Sequence, residues 1–226
     1  LVLLPLMAAA DVETVDGIEW TYGCFGDTVL GDQASVMGAS PVSGAIVIPA
    51  ELGGRPVTQI DYRAFSGCTD LTSITIPKYV INIGDRAFSE CRELREILVS
   101  PENETYASDE GILYDKAKTK LVTFPCGRTG SVAIPEGVVE IGAWQLVNCR
   151  IESVSLPSSV ERLNTGWSGN SYETAPPAFY GCSNLLAISV ATGNRIYSSK
   201  DGVLYDKGMT RLWVCPDGKA GALAVP

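Results

Sequence analysis

The chain has 226 residues, of which 46% are hydrophobic and 19% charged, and its formal net charge is −9. This negative field repels a phosphate backbone and an anionic membrane surface, so the composition argues against nucleic acid or a charged bilayer as a partner. Histidine is absent, which removes the usual general base at neutral pH, the Ser-His and Cys-His nucleophile pairs and most zinc sites.

The chain opens with an apolar run, from Leu1 to Ala10, that closes on three alanines before the polar Asp11. Such a run is typical of the end of a signal peptide, so residues 1–10 are predicted to be its remnant. The alternative is a buried first strand. Ten residues are too few to span a bilayer, which needs about 20, so we expect no membrane insertion. Neither an initiator Met nor a basic segment precedes the run, so we expect the natural sequence to start earlier.

Residues 11–49 contain strand-like pieces separated by glycine turns, among them Ile18–Tyr22 and Ala45–Ile48. An uncovered first strand would expose unpaired backbone groups. We therefore expect this segment to form a strand-rich cap on the elements that follow.

A 23-residue repeat begins at residue 60. Its apolar positions recur in the same order in two consecutive copies, as Ile60, Phe65, Cys68, Leu71 and Ile74, and then as Ile83, Phe88, Cys91, Leu94 and Ile97. A third copy contains Ile141, Cys149 and Val154, and a fourth contains Phe179, Cys182 and Ile188. Self-similarity at a fixed period is the signature of a solenoid, whose units are stable only when stacked.

A longer period of 91 residues overlies the first, because residues 88–135 align without a gap on residues 179–226. Val225-Pro226 then matches Ile134-Pro135, the point at which another repeat would start. The sequence therefore predicts a repeat array over residues 50–226 that is truncated at its C-terminus.

Each unit ends in the pattern Leu-x-x-Ile-x-Ile-Pro, in which apolar residues two apart indicate a strand with one buried face. The intervening positions should face outward on the inner, concave side of a curved stack. They are small and mostly polar, which favours a flat, adaptable surface over a reaction pocket. These candidate binding residues are Ser73, Thr75, Glu96, Leu98, Ser153, Ser155, Ala187 and Ser189.

Two segments depart from the plain repeat. Residues 103–125 carry the apolar pieces Ile112–Tyr114 and Leu121–Phe124 around a polar turn, which predicts a hairpin excursion with a twin at 194–216. Residues 164–173 are rich in Gly, Ser and Asn and should form a surface loop. Trp167 and Tyr172 in this loop are candidate anchors for a partner, because aromatic side chains dominate interface hot spots; alternatively they pack the loop onto the stack.

The unit Ile-Gly-x-x-Ala-Phe-x-x-Cys-x-x-Leu-x-x-Ile-x-Ile-Pro resembles the BspA-like (Treponema-type) leucine-rich repeats of bacterial surface proteins. The excursion motif Gly-(Ile/Val)-Leu-Tyr-Asp-Lys and the entry at Asp16–Tyr22 also resemble that family, over about residues 16–226. Trp144 and Leu146 depart from its Ala-Phe step. The resemblance implies a leucine-rich repeat solenoid, a strand-dominated α/β horseshoe with parallel strands on its concave face and short helical turns. It also implies secretion or surface display.

The remaining chemistry-bearing residues admit structural explanations. Four of the seven cysteines (68, 91, 149 and 182) share one position of the repeat, where Cys acts as a small buried apolar residue, while Cys24, Cys126 and Cys215 fall outside that column. A Cys68–Cys91 disulfide is the alternative. Asp109, Glu110 and Asp201 stand beside glycines, so they indicate either calcium ligands or, as we favour, a glycine turn.

Asn103-Glu-Thr105 is a glycosylation acceptor pattern. We find no convergent catalytic group, phosphate loop or metal motif, and predict no cofactor.

These observations favour a non-catalytic binding or adhesion module of a secreted or surface-displayed bacterial protein, with an extracellular protein or glycan as its ligand. The alternative is a spacer or targeting domain of a larger extracellular enzyme whose catalytic domain lies outside this sequence.

Overall fold

A computed structural model describes residues 10–27, 31–142, 144–163 and 178–221. Within these residues the regular secondary structure consists of strands, with no helix. The chain divides into two compact units, Leu1–Gly111 and Ile112–Pro226. The predicted signal-peptide remnant, apart from Ala10, and the predicted loop at 164–173 lie outside the described residues.

The first unit contains ten strands in its described residues. They are β1 (Asp11–Val15), β2 (Ile18–Asp27), β3 (Gly31–Ser40), β4 (Gly44–Val47), β5 (Glu51–Leu52), β6 (Arg55–Ile60), β7 (Leu71–Ile76), β8 (Asn82–Ile83), β9 (Glu96–Val99) and β10 (Tyr106–Asp109).

Two sheets contain nine of these ten strands. The N-terminal strands β1, β2 and β3 pair in antiparallel fashion, and β3 continues in parallel to β6, which also pairs with β5 and β8. A separate parallel ladder has the order β4-β7-β9, with Ile46 opposite Ile74 and Ile74 opposite Ile97. The strand β4 at the end of the N-terminal segment is therefore the first strand of the ladder.

Between ladder strands, the chain crosses the unit in hydrogen-bonded turns. Ala64 N donates to Asp61 O and Cys68 N to Phe65 O, each three residues back. The residues Arg63 and Gly67 have positive φ, as do Arg86 and Glu90 one repeat later. A left-handed residue interrupts a right-handed helix, so hydrogen-bonded turns stand where short helical turns were predicted.

The second unit contains ten strands in its described residues. They are β11 (Ile112–Asp115), β12 (Lys120–Thr123), β13 (Thr129–Ala133), β14 (Glu140–Ile141), β15 (Arg150–Leu156), β16 (Arg162–Leu163), β17 (Ala187–Val190), β18 (Tyr197–Lys200), β19 (Val203–Asp206) and β20 (Leu212–Val214).

This unit repeats the architecture of the first. A parallel ladder has the order β13-β15-β17, and β12, β14 and β16 form a second parallel row along the opposite edge of each repeat. The hairpin β11–β12 and its twin β19–β20 are antiparallel, as the sequence predicts. In the second twin, β19 also pairs with β18, a strand that the pattern did not indicate.

The repeated apolar positions form the core. Phe65 and Phe88, which are 23 residues apart, stack with ring centroids 5.6 Å apart and nearly parallel planes. In the second unit, the buried Leu146 takes the place of the repeat phenylalanine and packs in one cluster with Ile151, Val154 and Leu185. Buried apolar area of this kind supplies the main driving force for stacking.

Candidate binding surface

One face of the ladder in the first unit carries a row of side chains that are partly exposed to solvent. We call this side of each ladder its ladder face. Adjacent strands place three of these side chains next to one another: Val47, Thr75 and Leu98. Val47 is 63% exposed and Leu98 is 39% exposed. Glu96 is also exposed. Ser73 is only 7% exposed, so its predicted outward exposure is wrong. It lies between Ala45 and Glu96, on the central strand of the ladder.

The ladder of the second unit presents hydroxyl groups. Ser153 Oγ donates to Ser131 Oγ at 2.8 Å, and the hydroxyls of Ser155 and Ser189 are also 2.8 Å apart. Ser155 and Ser189 are exposed, while Ser153 is half-buried. Cross-strand hydroxyl pairs of this type order a flat surface and leave lone pairs and protons for a ligand.

Ala187 is half-buried beside Ser153. The two aromatic candidates, Trp167 and Tyr172, lie outside the described residues.

Three ladder-face residues were missed by the sequence pattern: Val47, Ser131 and Ala133. They lie on β4 and β13, where Cys-x-x-Leu does not precede the strand in the repeat spacing. The signal that could have found them is the strand ending alone, which reads Ile46-Val-Ile48-Pro49 and Val132-Ala-Ile134-Pro135.

The acidic residues beside Gly111 and Gly202 belong to backbone turns. Asp201 and Gly202 both have positive φ and join β18 to β19, as in a type I′ hairpin turn. Glu110 and Gly111 have the same φ signs. Gly111 O accepts a hydrogen bond from Ile97 N, and Gly202 O accepts one from Ile188 N, both at 2.8 Å. The glycine turn of each excursion therefore docks on the third strand of a ladder.

Other acidic groups also have structural roles. Asp206 Oδ1 accepts a bond from Arg211 N and its Oδ2 one from Thr210 Oγ1, and these bonds lower the pKa of the carboxyl group. Asp115 makes the equivalent contacts to Thr119 and Lys120. Within the described residues, no cluster of three or more His, Cys, Asp or Glu side chains has the arrangement of a metal site.

The comparison with protein families gives a specific match. A model of the BspA-type leucine-rich repeat region matches in six copies over residues 46–171 and 124–210, more than half of the chain. The chain belongs to the BspA-type leucine-rich repeat family. No curated protein sequence matches it.

Solved leucine-rich repeat structures are similar to this BspA-type chain. A leucine-rich cell surface protein from Faecalibacterium prausnitzii is 20% identical, with a TM-score of 0.46, over 92% of this chain and 62% of that one. A leucine-rich repeat protein from Eubacterium ventriosum is 19% identical, with a TM-score of 0.43, over 95% and 53% respectively. One from T. pallidum is 20% identical, with a TM-score of 0.40, over 74% and 67%. The chain thus spans less than two thirds of the first two structures.

Buried asparagines hold the start of each excursion against the BspA-type stack. Asn194 is 1% exposed, and its Nδ2 donates to Pro157 O and Val160 O at 3.0 and 2.8 Å. Its Oδ1 accepts from Ile196 N and Tyr197 N at 2.8 and 2.7 Å.

Asn103 makes the same four types of bond in the first unit. Because the Asn103 amide is fully buried and donates to Pro77 O and Val80 O, the Asn103–Thr105 acceptor pattern is inaccessible in the folded chain.

Three of the four repeat cysteines, Cys91, Cys149 and Cys182, are buried as expected, whereas Cys68 is half-buried. Cys91 Sγ donates to Phe65 O at 3.0 Å, and Cys182 Sγ donates to Leu146 O at 2.9 Å, so each thiol bonds the preceding turn. None of the seven cysteines forms a disulfide. Contrary to expectation, Cys126 joins this column, because its Sγ lies 2.7 Å from that of Cys149. Burial, followed by the neighbouring thiols, raises the pKa of Cys149.

In the part of the chain that the structure describes, no helix has the length and apolar character needed to cross a bilayer.

Proposed function

We propose that the chain is a non-catalytic binding module that is displayed outside a bacterial cell. It captures an extracellular protein or glycan on its ladder faces. The observation that carries this proposal is the row of exposed hydroxyls at Ser155 and Ser189, held in register by parallel strands. These small side chains allow a ligand to approach the strands closely. Val47 and Leu98 offer partly exposed apolar contact on the other ladder.

The contrast with a catalytic site supports a binding role. The ladder-face serines pair with one another, and an activated nucleophile would need a base within hydrogen-bond reach. We include in the proposal that β1–β3 cap the first unit, and that Trp167 and Tyr172 contribute to binding.

The direct test is an array of extracellular matrix proteins and glycans probed with the purified chain. We expect at least one ligand to be captured. A Ser155→Arg/Ser189→Arg variant should lose about tenfold or more in affinity for it, because bulky cations obstruct the flat face. The matched control is Ser183→Arg/Thr192→Arg, which places the same groups at exposed positions outside the ladder strands.

Failure to bind any protein or glycan on the array with the fold intact would contradict the proposed function. Equal loss in both variants would contradict the assignment to the ladder face.

A further inference from the structure

The first unit contains a groove of about 690 Å³ that lies apart from the ladder faces. Its described lining comes from β3, β5 and β6, from the segment at 78–81 and from the turn at 102–105. None of the ladder-face residues named above is part of that lining. We call it the acidic groove, for the three exposed carboxylates along it: Glu51, Glu102 and Glu104.

A buried amide lines the acidic groove. Gln33 is 3% exposed, and its Oε1 accepts a 2.6 Å hydrogen bond from Thr58 Oγ1. This bond engages one end of the amide group. If the amide is turned over, its other end bonds Thr58, so the conclusion does not depend on the assignment of oxygen and nitrogen. A ligand in the groove can therefore hydrogen-bond the end of the amide that does not bond Thr58.

The net charge of the groove determines which sign of charge it favours in a ligand. Three carboxylates face one ammonium group, that of Lys78, among the described lining residues. Lys78 Nζ is 4.0 Å from Glu102 Oε2 and 4.4 Å from the centre of the Tyr79 ring, so it is already engaged within the lining. The groove is therefore net negative in a chain whose own net charge is −9. Such a field attracts a cationic ligand and adds nothing for a neutral one.

The groove also offers apolar contact. Tyr79 is 39% exposed and Ile81 is 50% exposed, and both line it. Exposed aromatic and aliphatic side chains beside carboxylates suit a ligand that alternates apolar and basic groups.

We propose that the acidic groove binds an extended, basic segment of a partner polypeptide. Lysine or arginine side chains of the segment pair with Glu51, Glu102 and Glu104, and its apolar side chains contact Tyr79 and Ile81. A main-chain group of the segment bonds the end of the Gln33 amide that does not bond Thr58. A polypeptide supplies all three kinds of group at alternating positions, which a neutral glycan does not.

The test uses the whole chain and a short fluorescein-labelled peptide in which lysine and valine alternate, followed by fluorescence anisotropy. We expect binding at low salt that weakens as the salt concentration rises, and no binding of the glutamate–valine counterpart. Glu102→Gln/Glu104→Gln should weaken binding about tenfold. The matched control, Asp70→Asn/Glu90→Gln, removes two exposed carboxylates of the same unit that do not line the groove, and should bind like the wild type.

Three further variants test the apolar contact with Tyr79 and the hydrogen bond to the Gln33 amide. Tyr79→Ala should weaken binding about fivefold or more, and Tyr79→Phe should retain it. Gln33→Met/Thr58→Val removes both partners of the buried hydrogen bond and leaves neither of them unpaired, so the variant should keep the fold. It should bind the peptide more weakly than the wild type. Thermal melting checks the fold of each variant.

Equal weakening by the control pair would overturn the proposal, as would the absence of peptide binding by the folded chain. Binding of a neutral oligosaccharide that Tyr79→Ala abolishes, without peptide binding, would assign the groove to a glycan instead. Ser155→Arg/Ser189→Arg should leave peptide binding unchanged. Failure of the groove is therefore distinguishable from failure of the ladder-face function.

Discussion

The amide nitrogen of Ile188 donates a 2.8 Å hydrogen bond to the carbonyl oxygen of Gly202, as Ile97 does to Gly111 one long period earlier. In each unit, the turn of the excursion occupies a backbone group on the edge of the third ladder strand. An open strand edge is a template for pairing with another chain. The 91-residue period therefore has a physical meaning: in each unit, the third ladder strand has this edge position occupied by a glycine turn.

The first prediction concerns Gly202, which has φ near +77° and where a Cβ would lie 2.9 Å from Cβ of Ala187. Gly202→Ala should lower the free energy of unfolding by about 3 kcal/mol, since it combines backbone strain with a steric clash. Gly130→Ala is the control: it has the same φ but no atom within 4 Å, so it should lose only about 1 kcal/mol.

Urea denaturation measures both changes. Adding Ala187→Gly to Gly202→Ala should recover part of the loss. Equal effects of Gly202→Ala and Gly130→Ala would show that the turn is not docked on β17.

The second prediction concerns the buried Asn194. Asn194→Asp replaces a donor to Pro157 O and Val160 O with a carboxylate, which both carbonyl oxygens repel. We expect a loss of about 3 kcal/mol or more at pH 7. The folded variant should bind a proton more tightly than the unfolded chain, so the loss should shrink as the pH falls. Denaturation across pH measures this, and the exposed Asn184→Asp variant should show little change.

The third prediction concerns acid stability. Burial alone would raise the pKa of Glu140, but hydrogen bonds and opposite charges from Lys120 (3.0 Å) and Arg162 (2.9 Å) outweigh it and lower that pKa. A lowered folded-state pKa stabilises the fold above the ordinary carboxyl range, and this contribution is lost as the pH falls through the folded-state value.

Glu140→Gln should therefore reduce stability at pH 7 by at most about 1 kcal/mol, because the pair is partly exposed, and should have no effect in strong acid. Denaturation of Glu140→Gln and the exposed control Glu161→Gln at both pH values decides this. A constant difference across pH would contradict the assigned ion pairs.

The fourth prediction concerns thiol reactivity. Cys215 is exposed, whereas Cys91, Cys149 and Cys182 are buried. A thiol reagent should label Cys215 first in the folded chain, and the three buried thiols only on unfolding. Mass spectrometry of labelled peptides identifies each site, and Cys215→Ser should remove the fast phase. Rapid labelling of all seven thiols under native conditions would contradict the stacked column.

The repeat and the hairpin excursions could be predicted from the sequence because each depends on local patterns. The spacing of Phe65 and Phe88 fixes a stacked pair, and Gly202 marks a turn that needs positive φ. Burial at one position was less predictable: Ser73 follows the outward alternation, yet it is only 7% exposed on the central strand of its ladder. The place of Cys126 in the thiol column, by contrast, could have been predicted, because Cys126 precedes Cys149 by 23 residues, one repeat period.

The acidic groove could not be predicted from the sequence because the residues that line it are far apart in the chain. Gln33 and Thr58 meet across β3 and β6, and Glu102 comes from a later turn. Each of these residues is unremarkable in its own segment. The parallel pairing of β3 with β6 places the Gln33 amide in the lining of the groove, together with the carboxylates.

The central claim is that exposed ladder faces bind an extracellular ligand. The most direct measurement is a titration, by calorimetry, of the ligand found on the array against the wild type, Ser155→Arg/Ser189→Arg and Ser183→Arg/Thr192→Arg. We expect the first variant to bind about tenfold or more weakly and the second to match the wild type. Wild-type affinity in the ladder-face variant would contradict the claim.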